Sequence, residues 1–245
     1  KARAESDFGA FAPWLEKMLS LTRKRAEHLL PTLPAGSEAY DALLDEYEPG
    51  MTAGALDAAF RPLRDRLSRF IGEIAASGRG PDTSVLGATI PAERQHAFGL
   101  EVLGAMGFDL NAGRLDTTTH PFCSGMAPGD TRLTTRYRDE RFIDALYGTM
   151  HEAGHGLYEQ GLPKARSFGA PVGEATSLGI HESQSRMWEN FVGRGREFWT
   201  WAHPLAQKAF APALAGVTAE GMYRAVNTAQ PSLIRVEADE ATYNL

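Results

Sequence analysis

Cysteine is nearly absent from this chain: Cys123 is the only one in 245 residues. That excludes an intrachain disulfide framework and a cysteine-only zinc site, and it predicts a reducing, cytoplasmic setting. No apolar run approaches the roughly 20 residues that span a bilayer, so no membrane partner is expected. No basic block or Arg/Lys stripe is present, and the net charge is −6, which argues against nucleic acid. Internal repeats and low-complexity tracts are missing. So are a signal-peptide apolar core and an initiator Met, and both ends read as cuts in a longer polypeptide. What remains, 43% hydrophobic and 23% charged, is the composition of a globular protein with a sizeable core.

Apolar periodicity predicts a mainly α protein. Phe11, Trp14, Leu15, Met18 and Leu21 recur at helical spacing until Pro31 and Pro34 end the segment. An acidic helix over 40–47 closes at Pro49-Gly50, and Thr52 caps a long helix in which Pro62 either makes a kink or lies near the start. Pro91 starts another, with Phe98, Leu103 and Met106 on its buried side. The character then changes. Residues 114–119 and 131–137 are Thr-rich and alternating, which predicts two short strands around a Gly/Pro loop at 125–129. Helical spacing resumes over 139–160, 175–192, 196–210 and 218–228. The expected organisation is one helical region: N-terminal helices over 1–110, small strands over 111–138 and metal-site helices over 139–245.

The sharpest feature is His151-Glu-Ala-Gly-His155. Two histidines four apart project from one helix face, one turn apart, as two ligands of a tetrahedral Zn²⁺ would. Glu152 lies about 100° around the helix, beside a water held by the metal and off the metal itself, where it can take that water's proton. Phe142, Leu146, Met150, Ala153 and Leu157 form a separate apolar stripe. Gly154 and Gly156 cost helix propensity of about 1 kcal/mol each relative to Ala, which predicts a close approach by a substrate or a neighbouring helix.

A third protein ligand must come from elsewhere. Glu174 lies 19 positions after His155, at the expected cap of the next helix; Glu182 lies 27 after it, off a stripe of Ile180, Met187, Trp188 and Phe191. Spacing leaves both open. His181 is a ligand, a supporting donor or a group that meets substrate. His120 precedes Pro121, which holds its backbone extended, and it either acts at the site or is structural. Asp130 and Arg132 either support the ligands or tie strand to helix. Cys123 reads as a small buried residue, Trp188, Trp199 and Trp201 as core or interface, and His28, His96 and His203 as local contacts.

Taken in order, the motifs resemble peptidase family M32, the thermostable carboxypeptidase Taq type. His120-Pro-Phe122 matches HPF, Asp130-Thr-Arg-Leu-Thr134 matches DxRxT, and His151–His155 matches HExxH. His181-Glu-Ser-Gln184 matches HESQ, and Ile234-Arg-Val-Glu-Ala-Asp239 matches IRxxAD. The resemblance implies a helical, zincin-like metallopeptidase (HExxH plus Glu) with a small sheet beside the site helix. It implies Zn²⁺, with Co²⁺ able to substitute, on His151, His155 and Glu182. It implies a broad-specificity metallocarboxypeptidase and, in the full-length enzyme, a homodimer. Arg235 matches the arginine that holds the free C-terminus of a peptide substrate, a task suited to a bidentate guanidinium; His181 is a further substrate contact and His120 a further catalytic group. Family members are longer, and their final motif with Gln-Asp and His-Trp is missing here. The alternatives are therefore an inactive metal-binding fragment, or an endo- or aminopeptidase of the same zinc class.

Overall fold

The structure, a computed structural model, describes residue 2 and residues 4–229. These fall into two compact units that part at Leu63–Arg64. In the first, α1 (Phe8–Leu29) starts where the Asp7 carboxylate accepts from the Ala10 N–H at 3.0 Å. It ends in a single 3₁₀ turn carrying Pro31. Helix α2 (Ala39–Leu44) packs on α1. Asp41 then ties two helix starts together, accepting from Glu38 N–H at 2.8 Å and from Ala53 N–H at 2.7 Å. These two bonds hold its carboxyl below the ordinary aspartate range. Helix α3 (Ala53–Ala76) carries Pro62 inside it, away from its first turn.

The second unit continues with α4 (Ala92–Met106), which stops at Gly107 in the left-handed region, φ 87°. A three-stranded sheet follows: β1 (Gly113–Thr117), β2 (Cys123–Ala127) and β3 (Asp130–Thr135). Two strands around a 125–129 loop were expected. Residues 123–127 instead form a strand, and only the turn at Gly129 (φ 75°) stays outside it. The strand order is β1-β3-β2, with β3 parallel to β1 and antiparallel to β2. After the sheet come α5 (Phe142–Gly161), a single turn α6 (Lys164–Ser167), α7 (Leu178–Arg186) with a π-helical extension over Met187–Val192, α8 (Arg196–Ala209) and α9 (Ala219–Val226).

Helix α5 sits between two apolar clusters. On one side Phe142, Leu146 and Met150 join Phe98 and Val102 of α4, Trp199 of α8, Phe210 just after α8, and Met222 of α9. On the other, Ala153 meets Leu103, Phe108, Leu115 of β1 and Leu133 of β3. The glycines of α5 set how closely its neighbours come. A Cβ on Gly156 would lie 2.7 Å from the Phe108 ring and 2.8 Å from Leu133, so the sheet side demands glycine there. A Cβ on Gly154 would lie 2.6 Å from the Gln184 carbonyl oxygen and from Ser185 Cα. Helix α7 therefore rests backbone-to-backbone on α5.

The apolar stripe of α7 and its extension is unevenly covered: Ile180 is exposed, Phe191 is 81% exposed, Met187 and Trp188 are half-buried, and the fully buried position is Ser185. A small side chain, not an apolar stripe, permits the close approach. Among the described residues no helix is long and apolar enough to cross a membrane.

Candidate metal centre

The close seating of α7 on α5 brings Glu182 to the two histidines. Glu182 Oε2 lies 3.3 Å from His155 Nε2 and 3.7 Å from His151 Nε2. One donor atom from each of the three residues falls within 4.8 Å of the others. Two ligands about 2.1 Å from one tetrahedral ion sit roughly 3.4 Å apart, so these separations fit a shared cation. Glu182 Oε1 is buried with no hydrogen-bond partner among the described residues. A buried carboxylate oxygen left this way costs free energy that a cation would recover. The donor set, two imidazoles and a carboxylate, is one that zinc takes.

The surroundings favour positive charge. Burial pushes the Glu152 carboxyl up to about 7, with Glu182 and Glu189 adding to the shift against the pull of His151. Burial works to lower His151 as well, yet the hydrogen bond and charge of Glu189, with Glu152 and Glu182, leave it above the ordinary histidine value. Glu182 is held below the glutamate range because the hydrogen bond to His155 and the charges of both histidines outweigh its desolvation. Three carboxylates thus face two imidazoles in a partly buried space.

Each histidine is gripped at its far nitrogen. His151 Nδ1 lies 2.8 Å from Glu189 Oε2, and Arg186 Nη1 lies 3.4 Å from the same oxygen. His155 Nδ1 lies 2.6 Å from His181 Nδ1, and His181 Nε2 lies 2.8 Å from Glu159 Oε1. Glu159 in turn pairs with Lys164. Neither Glu189 nor Glu159 was singled out by sequence, although the signal was present. Glu159 continues the four-residue spacing of His151 and His155 along α5, and Glu189 follows Glu182 by two helical turns.

The other expected site residues fall as follows. Glu174 is exposed in extended backbone and does not cap α7; Ser177 does, accepting from Ile180 N–H at 2.9 Å. His120 is exposed on the segment between β1 and β2, outside the donor cluster. Next to it, Phe122 N–H donates to Thr134 Oγ1 at 2.9 Å, pinning that segment to β3. Asp130 and Arg132, at the start of β3, pair with each other at 2.8 Å with both side chains open to solvent, and form neither a support for the histidines nor a tie to α5. Cys123 is half-buried and its thiol is pushed up to about 12, first by burial and then by Glu152 and Glu159, so it is inert as a nucleophile. Trp199 is core and Trp201 is exposed. Arg235 lies outside the described residues.

Comparison with known proteins finds relatives over the whole chain. The family model described as carboxypeptidase Taq (M32) metallopeptidase matches residues 1–245. Thermostable carboxypeptidase 1 of Thermus thermophilus is 50% identical over 250 residues, covering 100% of this chain and 49% of that protein. Carboxypeptidase 1 of Bacillus subtilis is 40% identical over 245 residues, covering 100% and 48%. The crystal structure of an M32 carboxypeptidase from Deinococcus radiodurans R1 superposes with a TM-score of 0.88 at 45% identity, over 100% of this chain and 48% of that one. The chain spans about half the length of the curated relatives it matches. With a helical fold, a three-stranded sheet and an HExxH helix joined by a glutamate from α7, the chain belongs to the carboxypeptidase Taq (M32) metallopeptidase family.

Proposed function

We propose that this chain carries the metal centre of a metallocarboxypeptidase that releases C-terminal residues from peptides with broad side-chain tolerance. The observation that supports it most is the convergence of His151, His155 and Glu182, with one Glu182 oxygen buried and unpartnered. These three residues would hold the divalent ion, zinc with cobalt able to replace it. The ion supplies a Lewis acid that polarises the scissile carbonyl and lowers the pKa of water.

The remaining chemistry falls to the chain. Glu152 is buried beside the cluster but is not one of its donors. It takes the proton of the attacking water and returns it to the leaving amine. Arg235 holds the terminal carboxylate of the peptide bidentately. His120 is a further catalytic group in this reading. His181 supports His155 rather than substrate, because both of its ring nitrogens are engaged. Peptides with free C-termini are the partners, the setting is cytoplasmic, and the full-length enzyme is a homodimer.

Zinc-loaded protein is expected to release residues from free peptides and to leave C-terminally amidated peptides nearly untouched. Glu152→Gln is expected to keep its zinc and lose turnover by about 10²–10⁴-fold. Equal cleavage of both peptide classes, or an active Glu152→Gln, overturns the reading. One alternative is a metal-binding chain without turnover. Stoichiometric zinc with no product from either peptide would identify it.

A further inference from the structure

The hydrogen-bond chain behind His155 has a direction that can be worked out. If His155 Nε2 faces the metal, as the proposed function requires, its ring proton sits on Nδ1. That N–H must donate to His181 Nδ1, 2.6 Å away. A neutral His181 accepting there carries its own proton on Nε2. It donates to Glu159 Oε1 at 2.8 Å. Glu159 can accept because Lys164 is paired with its other oxygen. Lys164 Nζ also donates to the Gly125 carbonyl at 3.3 Å. Every donor in the series has an acceptor, and the series starts at His155 and ends on a cation buried to 5% exposure.

The surroundings are shaped to this chain. Gly125 of β2 has no side chain where any Cβ would collide with Glu159 and Lys164. Tyr158 packs its ring edge-on to His181, with centroids 4.8 Å apart. Strand β2, helix α5, the α6 turn and α7 each contribute a part. On the other histidine the same outcome is reached directly, with Glu189 on His151 and Arg186 behind it.

We propose that Glu159, oriented by Lys164, is a positioning residue that fixes the tautomer of His181 and through it leaves His155 Nε2 free for the metal. This rests on His155 being a ligand. It makes an unusual forecast for a near-isosteric change. In Glu159→Gln the single amide oxygen is claimed by Lys164, and the NH₂ group turns toward His181. His181 then carries its proton on Nδ1 and donates to His155, whose proton moves to the nitrogen that should bind metal. Removing the competing cation restores the oxygen to His181, so Glu159→Gln/Lys164→Met should bind metal better than Glu159→Gln alone.

The test is Zn²⁺ affinity of the whole chain, measured by competition with a chromophoric chelator. Glu159→Gln is expected to weaken binding by about 10–100-fold, and the double variant to recover most of that loss. A wild-type affinity for Glu159→Gln, or a double variant no better than the single, overturns the proposal. His155→Ala separates this from the underlying reading: if it binds zinc normally, the metal site itself is wrong. Should Glu159→Gln not fold, ¹⁵N spectra of the zinc-loaded wild-type histidines decide. Protons on His155 Nδ1 and His181 Nε2 support the proposal, and any other pair of tautomers refutes it.

Discussion

Helices α1 and α5 are of similar length and both carry apolar residues at helical spacing, yet they meet opposite fates. In α5, Phe142, Leu146, Met150 and Ala153 are buried, Met150 completely. In α1, Phe8, Trp14, Met18 and Leu21 are all at least 60% exposed, and Ala26 is its one buried residue. Periodicity sets the conformation of a helix, but burial depends on what lies against it. Helix α5 has the sheet on one side and α4, α8 and α9 on the other, whereas α2 is what packs on α1 within its own unit. The chemistry follows the burial. The imidazoles and the carboxylate of the donor cluster stand on α5 and on α7, the helix that rests backbone-to-backbone on it.

The contrast can be attacked in order of expected effect. Gly154→Val drives a side chain into the backbone of Gln184 and Ser185. It is expected to cost more than about 4 kcal/mol in denaturant unfolding and to abolish zinc binding by pushing Glu182 away. Met150→Ala leaves a cavity at a site with no exposure, and about 2–5 kcal/mol should be lost. A cost under 1 kcal/mol there would erase the distinction between the helices.

A smaller effect is expected at the charged end of α5. The hydrogen bond from His181, with Lys164, holds the Glu159 carboxyl down to about 2 against its desolvation. As pH falls, the unfolded chain takes up this proton first, so the stabilisation is whole above the ordinary glutamate pKa and lost between there and about pH 2. Glu159→Gln should flatten that acid limb of the stability curve; an unchanged limb would show that the ion pair contributes nothing. Least of all, Met18→Ala on α1 should change stability by no more than about 0.5 kcal/mol. A loss as large as that of Met150→Ala would mean that α1 is covered in solution.

Much of this was legible in the sequence because it is local. The i, i+4 histidines, the α5 stripe and the helix starts need no knowledge of distant segments. The choice between Glu174 and Glu182 was not local. It depends on how α7 lies on α5, which Gly154 and Ser185 settle, and the family resemblance supplied what spacing withheld. Strand β2 was missed for a similar reason. Cys-Ser-Gly-Met-Ala has no β-branched residue, and its extended form comes from pairing with β3. The apolar stripe of α7 is covered only in part, with Ile180 and Phe191 exposed, and α1 likewise shows that periodicity alone does not fix burial.

The order of the sheet has one more consequence. Its central strand, β3, is the last of the three along the chain, so β1 and β2 have no partner for their ladder hydrogen bonds until Asp130–Thr135 has been made. The histidine helix follows within a few residues. A polypeptide halted before Asp130 would hold two orphan strands, and one continued through Gly161 would gain the sheet and the helix beneath it together.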